Sequence, residues 1–457
     1  MTRFPFSRRQ LLGTLAAAPA AVLARLARAQ DGVIRIGLMA PLTGVVASGG
    51  REMVDDFNWY WSQHGEVAGR KVEVVVEDDG SNPDTALQKA RRLVEQSKVQ
   101  MLFGNLLANT GLAIANYVKG TGTPYFISII AADDLTQRAR IKNVVRVAGY
   151  SASQCTRPLA DWALKQGYKR IATVSQDYAF GHEQCGGLAQ TFTEGGGAIT
   201  GQFWHPINTS DFSSYLGQLA GSGADAIFTM QTGADATRFF QQYAAFGLKG
   251  RIPLMGSMNA CDQSVIRTMG AEVEGVVSAA HFAEGSDNPA TKAFVRAHVE
   301  KFGSIPSLYG FSMYSGAMWV AEALEKIGGR ADDPALLIKT VLDTELSGSP
   351  LGRPLRLDEY GNPVYDVQIR KVVKNDQGKW WNVPVATYPD VSQFWKYDPA
   401  AYMKQPPLFP HLPGHQARLT PAWRRTACGW KGWACASAGC GRWTACRCWC
   451  RPGSAGR

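Results

Sequence analysis

Acidic residues are absent from both ends of this 457-residue chain, and cysteine is scarce through its middle. Residues 1–30 hold five arginines, and residues 413–457 hold seven arginines and a lysine, with no Asp or Glu in either stretch. The formal net charge of +10 therefore belongs to the ends, because residues 31–412 carry 35 basic against 38 acidic side chains. A mildly acidic body has no global field to draw in a phosphate backbone, so nucleic acid is not an expected partner. Six of the nine cysteines fall in the last thirty residues, which leaves Cys155, Cys185 and Cys261 in the body. An odd set keeps at least one thiol without an intramolecular partner, and a Cys155–Cys185 bridge is one option. Beyond the first thirty residues no run of eighteen apolar residues occurs, so no membrane-spanning helix is expected.

Catalytic signatures are missing as well. There is no Gly-x-Ser-x-Gly elbow and no Gly-x-x-x-x-Gly-Lys-Ser/Thr phosphate loop. His182-Glu183 opens like a zinc-protease motif, but Gly186 stands where the second histidine belongs. Asp78-Asp79 follows an expected strand, where such a pair ordinarily solvates the strand end and caps the next turn. No enzyme, metal or cofactor is expected.

The first segment is an export signal. Ser7-Arg8-Arg9-Gln10-Leu11-Leu12 puts an arginine pair before an apolar run, and Ala27-Arg28-Ala29 supplies small residues for cleavage. Residues 1–29 read as a signal peptide of the twin-arginine type, the alternative being a Sec-type signal. Residues 413–457 are dense in Trp, Cys, Arg and Gly and show no helix or strand period. Cys446, Cys448 and Cys450 are spaced too closely for an ordinary zinc site. This tail is expected to be disordered or non-native, with ligand binding indifferent to its removal.

Between these ends, strand-like and helix-like runs alternate with short breaks, the pattern of parallel strands with helical crossovers. Strands are expected at 33–39, 71–77, 99–103, 124–128 and 143–147, with helices at 51–64, 83–96 and 112–119. A second series has strands at 170–175, 198–204, 224–229, 252–255 and 275–280, with helices at 153–166, 181–194, 211–220 and 234–246. Helices at 289–302, 308–327 and 334–342 follow, then strand-rich sequence at 354–357 and 364–373. Asn82 before Pro83 is a strong N-cap signal.

In an open α/β sheet, ligands bind at the loops leaving the C-terminal strand ends. Five such loops stand out. Pro41-Leu42-Thr43-Gly44 leads to Ser48. Gly104 is followed by Asn105, Leu106, Leu107, Ala108, Asn109 and Thr110. Ser128, Ile129, Ile130 and Ala131 leave a later strand. In the second series, Gln176 and Asp177 precede Tyr178 and Phe180, and Gln231 precedes Thr232 and Gly233. Hydroxyls, amides and backbone N–H groups at helix starts suit an anionic or polar ligand group, and the two aromatics supply flat walls.

IRIGLMAPLTG, KVEVVVEDDGSNPDTALQKARRLVEQSKVQMLFGN, the Ser128–Thr136 stretch and Asp177-Tyr178-Ala179-Phe180-Gly181 together resemble the leucine/isoleucine/valine-binding protein family. These are type I periplasmic solute-binding proteins of ABC importers, and the similarity runs from about Val33 to Trp395. The resemblance implies two Rossmann-like α/β lobes with three hinge crossings, near 147–150, 277–282 and 346–354. The N-terminal lobe would take 31–148 plus 282–346, the C-terminal lobe 149–281 plus 347–395, and 396–412 would form an extended segment. It further implies a periplasmic protein, expected as a monomer, that captures a small-molecule ligand and passes it to an ABC permease in the inner membrane. The alternative is a soluble ligand sensor of the same fold acting with a membrane receptor.

Carried over residue by residue, the family pattern departs from itself here. Ser48 stands where amino-acid binders often have an aromatic residue. Ala108, flanked by Asn109 and Thr110, stands where a serine usually meets the ligand carboxylate. Met258-Asn259 falls where an acid typically pairs with an α-ammonium. Asp177 or Asp235 could substitute for that acid. The expected ligand is a small polar organic solute: branched-chain amino acid-like, an amide or an aromatic carboxylate. The sharpest expectation is that Asn109 or Thr110 donates to a carboxylate while Phe180 stacks on the ligand body.

Overall fold

Strand β1 (Ile34–Ala40) is apolar on both faces, and Ile34, Ile36, Leu38, Met39 and Ala40 are all buried. A strand covered on both sides belongs inside a parallel sheet with helices above and below. In this computed structural model, which describes residues 32–408, β1 sits centrally in such a sheet. It pairs in parallel with β3 (Arg70–Asp78) and β4 (Met101–Gly104), and β5 (Tyr125–Ile127) and β6 (Val144–Arg146) extend the row. A two-residue strand β2 (Glu66–Val67) adds an antiparallel edge. The order is β2-β3-β1-β4-β5-β6. The crossovers are α1 (Ala47–Gln63), α2 (Pro83–Glu95) and α3 (Ala108–Thr121). Asn82 caps α2 as its sequence predicts, accepting from the backbone N–H of Asp84 at 2.9 Å and of Thr85 at 3.1 Å.

The second sheet follows the same logic. β7 (Arg170–Gln176), β8 (Ala198–His205), β9 (Ala226–Met230), β10 (Leu254–Gly256) and β11 (Val277–Ala280) run parallel. They alternate with α4 (Ala152–Lys165), α5 (Ala179–Glu194), α6 (Ser213–Ala220), α7 (Ala234–Ala245) and the short α8 (Gln263–Ile266). β12 (Tyr365–Lys374) and β13 (Trp380–Val391) then close one edge as an antiparallel hairpin, giving β13-β12-β11-β10-β9-β7-β8. β13 is absent from the sequence reading because Pro384 and Pro389 interrupt its pattern. At a sheet edge proline is tolerated, and the register slips where Arg370 meets Pro384. Residues 354–357, expected as strand, make only isolated bridges, Leu346 to Leu355 and Leu357 to Pro363.

Between β11 and β12 the chain returns to the first sheet through α9 (Pro289–Phe302), α10 (Leu308–Lys326) and α11 (Pro334–Asp343). α10, buried along most of its length, packs lengthwise on α1. Trp59 of α1 meets Phe294, Phe302 and Tyr314, with ring centroids 4.8–5.8 Å apart. Where the chain first leaves the first sheet, the buried Arg146 guanidinium donates to the carbonyls of Ile130 and Ala132, to Thr136 and to Asn362. Burial pushes it down to about 10, and the nearby carboxyl groups of Asp133, Glu183 and Asp358 oppose that fall. Residues 396–408, expected to be extended, contain a one-turn helix α12 (Pro399–Tyr402), because Asp398 caps it at 2.8 Å and Pro399 starts it. The export signal and the tail cysteines lie outside the described residues. Cys155, Cys185 and Cys261 are buried free thiols. Among the described residues, no helix is long and apolar enough to cross a membrane, and no group of three or more His, Cys, Asp or Glu could hold a metal ion.

Candidate functional site

The two sheets bring the C-terminal ends of their strands to one cleft. Leu106 and Ala108 come from the connection after β4, Ile129 and Ala131 from that after β5, and Tyr150 from the link after β6. From the second sheet come Tyr178 and Phe180 after β7, Thr232 after β9 and Asn259 after β10. These nine residues close on one another, leaving about 10 Å³ between them, roughly the room of one water, so a ligand enters only if the two halves part. None of the nine carries a charge. A larger hollow of about 510 Å³ lies between α8, the turn joining β12 to β13 and the link joining α9 to α10. It shares no residue with the convergence of strand ends and is not taken as the site.

The two halves meet closely around the cleft. The Ala234 N–H at the start of α7 donates to the Val45 carbonyl at 3.1 Å, across from one sheet's connections to the other's. Gly233 makes that approach with φ of +56°, and a Cβ built there would lie 2.2 Å from the Val45 oxygen. Glycine at 233 is thus required by conformation and by space at once.

Helix starts supply the electrostatics. The N-cap positions of α3, α5 and α7 are Leu107, Tyr178 and Gly233, and none gives a side-chain cap. Away from the cleft, Asn82, Asn288, Asp333 and Asp398 cap α2, α9, α11 and α12 with their side chains. At α7 the Ala234 N–H is taken by Val45 and at α3 the Thr110 N–H by Asn109, so it is the rest of these first turns and the positive ends of the helix dipoles that favour a negative ligand group. Burial pushes the phenols of Tyr150, Tyr178 and Tyr309 upward, so all three stay protonated. Asn259 donates from Nδ2 to the hydroxyls of Tyr150 at 3.2 Å and Tyr309 at 3.0 Å. Behind them His281 is buried against Tyr150 and Tyr365, and burial pushes it down to about 3, so it stays neutral.

Of the residues named from sequence, Ala108, Ala131, Tyr178, Phe180, Thr232 and Asn259 line this cleft. The others do not. Asn105 bridges Asp79 at 2.7 Å and Tyr125 at 2.8 Å beneath the sheet end. Thr110 donates its hydroxyl to the Leu107 carbonyl at 2.7 Å, and Asn109 accepts from the Thr110 N–H at 3.0 Å. The Thr110 proton is thus committed to the first turn of α3. Ser128 donates to the Val147 carbonyl at 2.8 Å, and Ile130 packs under Gly111. The Met258 carbonyl accepts from Arg370 at 2.8 Å, and Ser48 sits half-buried in the first turn of α1. Leu107 caps α3, and Gly233 makes the approach to Val45.

The substitute acids are also engaged elsewhere. Asp235 is buried and accepts from Gln176 at 2.6 Å, from the Asn208 N–H at 2.8 Å and from Arg238. Asp177 is largely exposed and pairs with His182 at 2.7 Å. Asp78 behaves as a strand-end cap, accepting from Leu42, Thr43 and Gly80. Leu106 and Ile129 lie within loops that the sequence singled out, whereas Tyr150, in the link after β6, was not named as a lining residue.

The sequence profile of the family described as periplasmic binding protein matches residues 33–378. An ABC transporter substrate-binding protein from Sphaerobacter thermophilus is 31% identical, with a TM-score of 0.74 over 79% of this chain and 99% of that one. A solute-binding protein of an ABC transporter from Rhodopseudomonas palustris BisB5, solved in complex with 3,4-dihydroxybenzoic acid, is 30% identical with a TM-score of 0.75, over 79% of this chain and 98% of that one. The Leu/Ile/Val-binding protein homolog 6 of Brucella melitensis is 27% identical over 366 residues, 78% of this chain and 92% of its own length. This chain belongs to the periplasmic binding protein family, with the type I fold, and is a solute-binding protein of the kind that serves ABC transporters.

Proposed function

We propose that the protein captures a small aromatic carboxylate of the benzoate kind between its two halves and delivers it, chemically unchanged, to an ABC permease in the inner membrane. One observation carries the reading: three aromatic side chains and no charged one line the cleft. An α-amino acid would bring an ammonium with no counter-charge on the wall, forgoing a charge-assisted bond worth about 1.5–3 kcal/mol. A carboxylate instead meets the positive N-terminal ends of α3 and α5. A flat ring meets Tyr150, Tyr178 and Phe180, whose mutual tilts leave ring faces and edges toward the same space. The relative of known ligand that is 30% identical holds a dihydroxybenzoate, which supports the same class here. Export by the signal at 1–29 would place the protein in the periplasm. The hinge would lie in the links near 147–150, 277–282 and 346–354, with the lobes taking 31–148 plus 282–346 and 149–281 plus 347–395.

Titration calorimetry of the purified mature protein with benzoate, leucine, isoleucine and valine tests this reading. The expected result is one benzoate bound per chain, without turnover, and no heat from the amino acids. Saturable binding of any of the three amino acids in preference to benzoate would overturn it.

A further inference from the structure

Asn259 holds the unmatched polar atom of the cleft. Its side chain is 2% exposed, it lines the cleft, and its amide donates from Nδ2 to Tyr150 and Tyr309. Its Oδ1 is buried and has no partner. Elsewhere on the wall, Thr232 donates to Gln176 at 2.7 Å and the Tyr150 hydroxyl accepts from Asn259. Buried polar atoms are nearly always hydrogen-bonded, and an orphan on a ligand wall calls for a partner that the ligand brings.

Resting on the aromatic-carboxylate reading, we infer that the ring of the ligand carries a hydroxyl, and that Asn259 is the residue that selects for it. The hydroxyl donates to Asn259 Oδ1 and accepts from the Tyr150 hydroxyl. Tyr150 has a proton to give, because its oxygen accepts from Asn259 Nδ2. A hydroxyl also satisfies the amide turned end for end, since it donates and accepts equally well. An unsubstituted ring would leave Oδ1 desolvated and unpaired, the situation in which a site built for a hydroxyl rejects its deoxy analogue.

Titration of the mature protein and of Asn259→Leu with benzoate, 3-hydroxybenzoate and 4-hydroxybenzoate tests the assignment. In the wild type, one hydroxybenzoate isomer is expected to bind at least about tenfold more tightly than benzoate, roughly what one buried hydrogen bond supplies. In Asn259→Leu the ratio of hydroxybenzoate to benzoate affinity should fall to about one, with a cooperative thermal melt showing that the variant is folded. Should the wild type bind benzoate as tightly as both isomers, the role of Asn259 falls and the aromatic-carboxylate reading stands. Should no benzoate of any kind bind, both fall. The ratio within the wild type decides the matter even if the leucine variant does not fold.

Discussion

Single side chains at the cleft divide into those that face the ligand and those that build the wall. Thr110, after β4 in one half, and Phe180, after β7 in the other, lie on opposite sides of that division. Removing the Thr110 hydroxyl breaks a buried bond to Leu107. Thr110→Ala should therefore lower stability by about 1 kcal/mol and leave ligand affinity unchanged. Phe180→Ala removes an aromatic wall and should weaken benzoate binding by about tenfold or more, with calorimetry and thermal melts on both variants as the check. Equal loss of affinity in the two would contradict the division. Position 259 gives a second prediction. Asn259→Asp places a carboxylate where the family resemblance expects one, so α-amino acids should begin to bind and benzoate should weaken by like-charge repulsion. The loops holding these residues were legible in sequence, because strand ends and helix starts are written in periodicity and punctuation. Which residue of a loop faces inward was not. That depends on partners distant in sequence, such as Tyr125 for Asn105 and Val147 for Ser128.

At the scale of elements, α1 and α8 meet across the two halves through Glu52 and Arg267. The Glu52 carboxylate pairs with Arg267 at 2.9 Å, and its second oxygen is buried without a partner. Burial pushes Glu52 up to about 7, Arg267 and Ser307 pull it down, and Asp262 and Asp56 add to the rise. Asp56 in turn pairs with the buried His298 of α9 at 3.3 Å. A carboxyl raised in the folded state favours folding when protonated. Its contribution is fully present below about 4.5, falls as the pH climbs, and is gone above about 7. The gap corresponds to about 3 kcal/mol. Glu52→Gln removes this dependence, so the variant should melt above the wild type at pH 8 and lose that advantage at pH 4.5. A constant difference in melting temperature across that range would refute the assignment. Nothing in the sequence marks Glu52, which sits in an ordinary amphipathic helix. β13 was illegible for the converse reason: its two prolines argue against a strand, and only the edge position makes them harmless. The two α/β series themselves were plain, since each depends on local alternation and short connections.

For the whole molecule, the decisive contact is the approach of Gly233 to Val45. It joins the connection after β9 in the second sheet to the connection between β1 and α1 in the first. A Cβ at 233 would lie 2.2 Å from a backbone oxygen, and no side-chain rotation relieves a clash with backbone. The clash is between halves, so separating them removes it, whereas a clash inside one half would have to be absorbed by that half's core. Gly233→Ala should therefore act on closure more than on folding. The residual cost to the separated form is the strain of a side chain at φ of +56°, about 1 kcal/mol. Ligand affinity should fall by about tenfold or more, because binding must now draw on a closed state that the substitution makes rare. Small-angle scattering gives the independent reading: the wild type should contract when benzoate is added, and Gly233→Ala should keep its ligand-free dimensions at the same benzoate concentration. If the variant binds and contracts as the wild type does, then the two halves do not need this approach to enclose their ligand, and a hinge that closes on Val45 is not how this protein works.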